Sequence, residues 1–169
     1  MSISARLLPE FDEEFAATRK FLELVPDDKL AWKPHPKSME LGRLAWHLSD
    51  FPEWCLAVLK QDALRMTGQD SAAAMERMKG KKRADMLARF DHDLPEARSR
   101  LAAASDADLE ANWKLEWAGQ TVLDNPREDV LRRFVLSHMI HHRAQLGVYL
   151  RMNGAPVPGV YGASADEAG

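Results

Sequence analysis

The chain has 169 residues, 46% of them hydrophobic and 29% charged. That composition belongs to a folded globular chain and excludes a disordered or fibrous one. Lys and Arg total 23 against 26 Asp and Glu, a formal net charge of −3, which argues against a protein built to grip nucleic acid.

The chain opens Met1-Ser2-Ile3-Ser4-Ala5-Arg6, with no long apolar core behind a basic start, so no secretory signal is read there. Leu8, Phe11, Phe15, Thr18, Leu22 and Val25 recur every three or four residues and predict a first amphipathic helix. Pro9 is read as its first-turn residue or a kink. Pro26-Asp27-Asp28 ends it, and Lys33-Pro34-His35-Pro36-Lys37 reads as an extended connection. A second helix is expected from Ser38 to about Met66, with Pro52 kinking or breaking it near residues 48–51. Gly68 begins a polar connection with room for a short helix over Ala72–Met78.

Met86, Leu87, Phe90, Leu94, Ala97 and Leu101 give the stripe of a third helix over Arg83–Ala104, despite Pro95. Trp113, Leu115, Trp117 and Gly119 fall in a stretch read as irregular. The clearest helix runs from Pro126 to Met152 and is closed by Asn153-Gly154. From about residue 153 the tail reads as irregular. Four long amphipathic segments with no convincing strand predict one all-α domain over residues 1–169. The expected architecture is a four-helix bundle with room for crossover connections. No stretch approaches the ~20 apolar residues of a membrane span.

The strongest chemical signal is Ser137-His138-Met139-Ile140-His141-His142-Arg143. Residues four apart on a helix lie on the same side, one turn apart. His138 and His142 can therefore point two imidazoles at one ion, while His141 lies about 100° around and points elsewhere. Leu131, Phe134, Val135, His138, His142, Gln145 and Tyr149 form one row, so the two histidines replace apolar residues on the inward face. An unpartnered buried polar group costs about 1–3 kcal/mol, and a shared cation removes that cost for both rings.

His47, flanked at helical spacing by Leu44, Leu48 and Phe51, is the candidate third ligand from a facing helix. Three neutral imidazoles suit Zn, Ni, Fe, Co or Mn, and the Irving–Williams order leaves the choice open. Three protein ligands leave a coordination position for water or substrate, as in catalytic sites. Each histidine also has a plain reading as a hydrogen-bonded core or surface side chain.

Asp50, one turn from His47, can accept from an imidazole N–H or serve only as a cap. Arg143 and Gln145 can brace a ligand or orient substrate; a surface guanidinium and a buried amide fit them equally well. Cys55 lies about 12 Å along the helix from His47 and is too far to share its ion; it is read as a small buried side chain. His35 and His92 are isolated and expected at the surface. Arg77, Lys79, Lys81, Lys82 and Arg83 form a basic cluster with no interleaved aromatics, so it reads as a solvated loop rather than a nucleic-acid site. Trp113 and Trp117 either cover one end of the core or wall a pocket.

Two blocks carry a resemblance. One runs His138-Met139-Ile140-His141-His142-Arg143-Ala144-Gln145, then Asn153-Gly154-Ala155-Pro156-Val157-Pro158 and Tyr161-Gly162; the other is Leu41-Gly42-Arg43-Leu44-Ala45-Trp46-His47-Leu48. Together they resemble the DinB-like (damage-inducible, YfiT-related) family. Two departures stand out: Ala144 where glycine is usual, and Pro52 close after His47. The resemblance implies a four-helix bundle with a divalent metal on His47, His138 and His142. It also implies a homodimer and, among some relatives, transferase or isomerase activity that uses low-molecular-weight thiols. The name describes induction by damage, not DNA binding.

Two functions follow as expectations. The first is a metal-dependent enzyme of thiol-dependent S-transferase or hydrolase type. The second is a non-catalytic, dimeric metal- or ligand-binding stress-response module. Both are expected in the cytoplasm, consistent with the single cysteine, without nucleic-acid or membrane partners.

Overall fold

The computed structural model describes residues 1–167, with the side chains of 71 and 74 left aside. Helix α1 spans Ile3–Glu23, capped where the Ser2 hydroxyl accepts from the Ala5 N–H at 3.3 Å. It buries Phe11, Phe15, Thr18 and Leu22 of the expected face, with Leu7 buried at its start and Leu8 only partly so. Pro9 lies inside it on the solvent side, and Pro95 does the same in α5 (Arg83–Ala103). Neither breaks its helix, because the carbonyl each leaves unpaired can take water on an exposed face.

The expected second helix is two helices. Helix α2 covers Leu41–Ser49 and α3 covers Phe51–Lys60, with Asp50 as the hinge between them. Pro52 sits in the first turn of α3, where its missing N–H would be unpaired in any case. Beyond α3 the chain turns into strand β1 (Ala63–Met66) instead of continuing as helix. Helix α4 (Gly68–Arg77) follows under a Thr67–Asp70 capping box. After α5 come a short helix α6 (Asp106–Glu110) and strands β2 (Asn112–Trp117) and β3 (Gln120–Pro126).

The three strands form one sheet in the order β1-β2-β3, with β1 parallel and β3 antiparallel to β2. The fold is thus a helical bundle with a small sheet at one end, and all-α describes it only approximately. The β2–β3 hairpin turns on Ala118 (φ 49°) and Gly119 (φ 81°). Two successive left-handed residues give a turn whose twist matches the strands.

The last helical rod begins with one turn, α7 (Arg127–Asp129), passes through a π-helical stretch over Val130–Ser137, and continues as α8 (His138–Met152). Gly154 (φ 76°) closes it. Helix α5 packs on α1, α2 and α3, while α8 packs on α1 and α2. Their shared core holds Phe15, Phe51, Phe90, Leu44 and Met139, all under 2% exposed. Trp113 closes the sheet end of this core, with its indole N–H donating to the Ala57 carbonyl at 3.3 Å. Arg127 ties the same end together through the Val58 and Gln61 carbonyls and the Asp62 carboxylate. Among the described residues no helix is long and apolar enough to cross a membrane.

Candidate metal centre

His47 projects from the last full turn of α2, and His138 and His142 from the first turns of α8. Because α2 packs directly on α8, the three rings meet. His138 Nε2 lies 2.8 Å from His142 Nε2 and 3.5 Å from His47 Nε2. One nitrogen from each ring falls within 4.8 Å of the others, so the three could hold a metal ion. Zinc–imidazole bonds of about 2.0–2.1 Å place adjacent donor nitrogens about 2.8–3.4 Å apart in octahedral or tetrahedral arrangements, close to the separations here.

One of the rings has its far nitrogen occupied. His142 Nδ1 donates to Gln145 Oε1 at 2.8 Å, which fixes the tautomer and leaves Nε2 as the lone-pair atom. Aromatic rings pack around the nitrogens. Phe51 and Trp54 of α3 lie edge-on to His47, with centroids 5.2 and 5.6 Å away. Trp54 stacks on Phe134 at 5.1 Å, and both flank His138.

These walls keep the imidazoles neutral. Burial, together with the neighbouring histidines, pushes His47 down to about 3. His138 is lowered by burial and by His142; His142 is lowered chiefly by burial, against the opposing hydrogen bond to Gln145. Neutral rings with convergent lone pairs suit a divalent cation, since a ligating imidazole must be unprotonated.

The other candidates lie elsewhere. Asp50 is half-buried and engages Arg89 of α5, which also reaches Glu53. Arg143 points away from the histidines into a buried cluster with Glu14 of α1. Cys55 is fully buried, and burial pushes its thiol up to about 12, so it is inert as a nucleophile. His141 is exposed, as are His35 and His92. In the basic cluster, Lys79 pairs with Glu76, Lys81 with Asp85, and Arg83 with the Glu23 carbonyl, as a solvated loop would. Trp113 belongs to the core and Trp117 is 40% exposed on the sheet.

Sequence reasoning passed over Trp54 and Phe134 as walls and Glu14 as the partner of Arg143. Glu14 had a signal: it is a lone carboxylate amid Phe11, Phe15 and Thr18 in the apolar stripe of α1.

The DinB family model matches residues 1–168. The chain belongs to the DinB family. Its relatives include YrdA of Bacillus subtilis, described only as an uncharacterized protein. The two are 26% identical over 160 residues, covering 95% of this chain and 89% of YrdA. Two solved DinB-like proteins share the fold. The protein from Bacillus cereus superposes with a TM-score of 0.67 at 21% identity, over 91% of this chain and 95% of its own. YjoA of B. subtilis superposes with a TM-score of 0.64 at 18% identity, over 92% and 97%.

Proposed function

We propose that this DinB-family member is a metal-dependent enzyme acting by thiol-dependent S-transfer or by hydrolysis. Its ligands would be His47, His138 and His142. The observation that carries the reading is the convergence of three neutral imidazole nitrogens from two helices, within 4.8 Å of one another. A divalent ion held there (Zn, Ni, Fe, Co or Mn) lowers the pKa of a bound thiol or water and so supplies a nucleophile near neutral pH.

The protein's own part is to orient and to exclude. Gln145 holds the His142 ring in the tautomer whose Nε2 faces the other two histidines. Phe51, Trp54 and Phe134 keep water from one side of the rings. The substrate class in this reading is a low-molecular-weight thiol with its electrophilic partner, and the chain acts as a homodimer in the cytoplasm. Dimerisation is supported by Val148 and Met152, one turn apart on α8 and each 58% exposed. Residues 1–169 form one domain in this reading, supported by the continuous core.

A second reading is a non-catalytic, dimeric metal- or ligand-binding stress-response module. It is favoured by the absence, among the described residues, of a recognisable acid, base or nucleophile other than the histidines themselves, His141 beside His142 included: Asp50 is engaged by Arg89, and Cys55 is sealed in the core. Metal analysis of freshly purified protein, followed by a metal-dependent thiol-conjugation and ester-hydrolysis panel, separates the two. Turnover lost in His138→Ala supports the enzyme. Metal bound without turnover across the panel supports the module.

A further inference from the structure

Arg143 follows His142 directly, yet its guanidinium is sealed on the far side of α8, 3% exposed. Its Nη1 lies 2.6 Å from Glu14 Oε2 and donates to the Glu14 carbonyl oxygen at 3.1 Å and to Thr18 Oγ1 at 3.4 Å. Its Nη2 donates to the Tyr161 hydroxyl at 2.9 Å, and that hydroxyl donates to Glu14 Oε1 at 2.7 Å. Helix α1, helix α8 and the tail thus meet in one polar set, in which Glu14 Oε2 has the ion pair with Arg143 and no hydrogen bond.

The tail segment that brings Tyr161 there is itself fastened. Asp166 accepts from the Val157 N–H and pairs with Arg151, while Glu167 accepts from the Gly159 and Ser164 N–H groups. Gly159 admits no side chain, since a Cβ would stand 2.0 Å from the Gly162 carbonyl oxygen.

This arrangement is an odd way to gain stability. A buried ion pair is often no better than well-packed apolar residues of the same volume, and its best-attested use is to fix one arrangement among several. Helix α8 has such a need. Met139, Leu146, Gly147 and Leu150 put one face of α8 in the core with Arg143 among them, while Val148 and Met152 leave further apolar groups on the solvent side. Burial of that face sets the rotation coarsely, and directional polar contacts at Arg143 set it finely. The histidine nitrogens are sensitive to that rotation. An atom about 7 Å from a helix axis moves about 1.2 Å for a 10° turn, whereas metal–ligand distances hold to about 0.2 Å.

We propose that Glu14, Arg143 and Tyr161 are positioning residues for the three-histidine centre: the buried Glu14–Arg143 pair, bridged by the hydroxyl of the largely exposed Tyr161, fixes the rotation of α8 so that His138 and His142 meet His47. The inference rests on the metal-binding reading above. Two variants test it in the full-length protein. Tyr161→Phe removes one hydroxyl at a largely exposed residue. The pair Glu14→Leu with Arg143→Met replaces the ion pair by apolar groups of similar volume.

Zn²⁺ affinity is read by competition with a chromophoric chelator, Co²⁺ coordination by its visible absorption spectrum, and stability by thermal melting of the metal-free protein. The expected result is a fall in Zn²⁺ affinity of roughly tenfold for Tyr161→Phe and more for the pair, within the 10- to 100-fold range for groups that orient ligands. The Co²⁺ bands shift, and the metal-free melting temperature of Tyr161→Phe stays near that of the parent. Parent-like affinity and Co²⁺ bands in Tyr161→Phe overturn the proposal even if the pair fails to fold. A parent protein that binds neither ion overturns the metal reading and this one with it.

Discussion

His142 Nδ1 donates to Gln145 Oε1 at 2.8 Å, so the other nitrogen of the ring faces His138 and His47 with its lone pair free. The amide stands three residues along the same helix, where it can lie beside the ring without any contribution from a second element. Gln145→Ala removes this restraint and leaves all three imidazoles in place. Zn²⁺ affinity should fall 10- to 100-fold, with a small change in melting temperature. Isothermal titration of parent and variant checks it, and equal affinities would show the amide to be incidental.

Acid should destabilise the metal-free protein. His47 is held down at about 3, and His138 and His142 are lowered as well. Below about pH 6.5 the unfolded chain takes up protons that the folded chain refuses. Unfolding is then favoured, and stability falls as pH drops from about 6.5 towards 3. The expected slope is on the order of 1 kcal/mol per pH unit for His47, with smaller additions from the other two. Urea unfolding at several pH values gives the slope. His47→Leu should flatten it; an unchanged slope in that variant would contradict the assigned cause.

Trp113 joins the sheet to the bundle. It is 1% exposed, and its indole N–H donates to the Ala57 carbonyl. Trp113→Ala opens a cavity and leaves that carbonyl only the Gln61 N–H, at a cost of about 3–5 kcal/mol. Trp113→Phe should lose less, because the ring still fills most of the space. Chemical denaturation of the metal-free forms distinguishes them; equal losses would mean that packing is not the dominant contribution.

Gly159→Ala should loosen the tail without unfolding the bundle. The added methyl group would stand 2.0 Å from the Gly162 carbonyl oxygen, so the backbone must shift and the two Glu167 hydrogen bonds are strained. Limited proteolysis should cut the variant within residues 155–167 faster than the parent, with the remaining core intact. Identical digestion would show that the segment has slack.

The sequence makes the helices legible where apolar spacing is regular and the core lies on one side, as in α1 and α5. It misled where a local signal had two meanings. Pro52 signals a kink in a long helix and equally the first turn of a new one, and only the packing of α2 on α8 and of α3 on α5 decides between them. Ala63-Leu64-Arg65-Met66 continues an apolar helical pattern, yet it is strand because it pairs with residues 114–117, far along the chain. Trp113, Leu115 and Trp117 do alternate as a strand should, but Ala118 hides the hairpin by taking a left-handed turn position usually given to Asn or Gly.

The histidines were legible as candidates because their positions on the helices are a matter of spacing. Their meeting rests on the α2–α8 contact, which no local spacing encodes. Glu14 and Arg143 each stand out locally, but their pairing is long-range and was not legible for the same reason.

The most direct measurement is anomalous diffraction at the zinc edge from crystals grown with Zn²⁺. One strong peak is expected at about 2.0–2.2 Å from a ring nitrogen of each of His47, His138 and His142. Density showing those three rings turned apart with no peak among them, at saturating zinc, would contradict it.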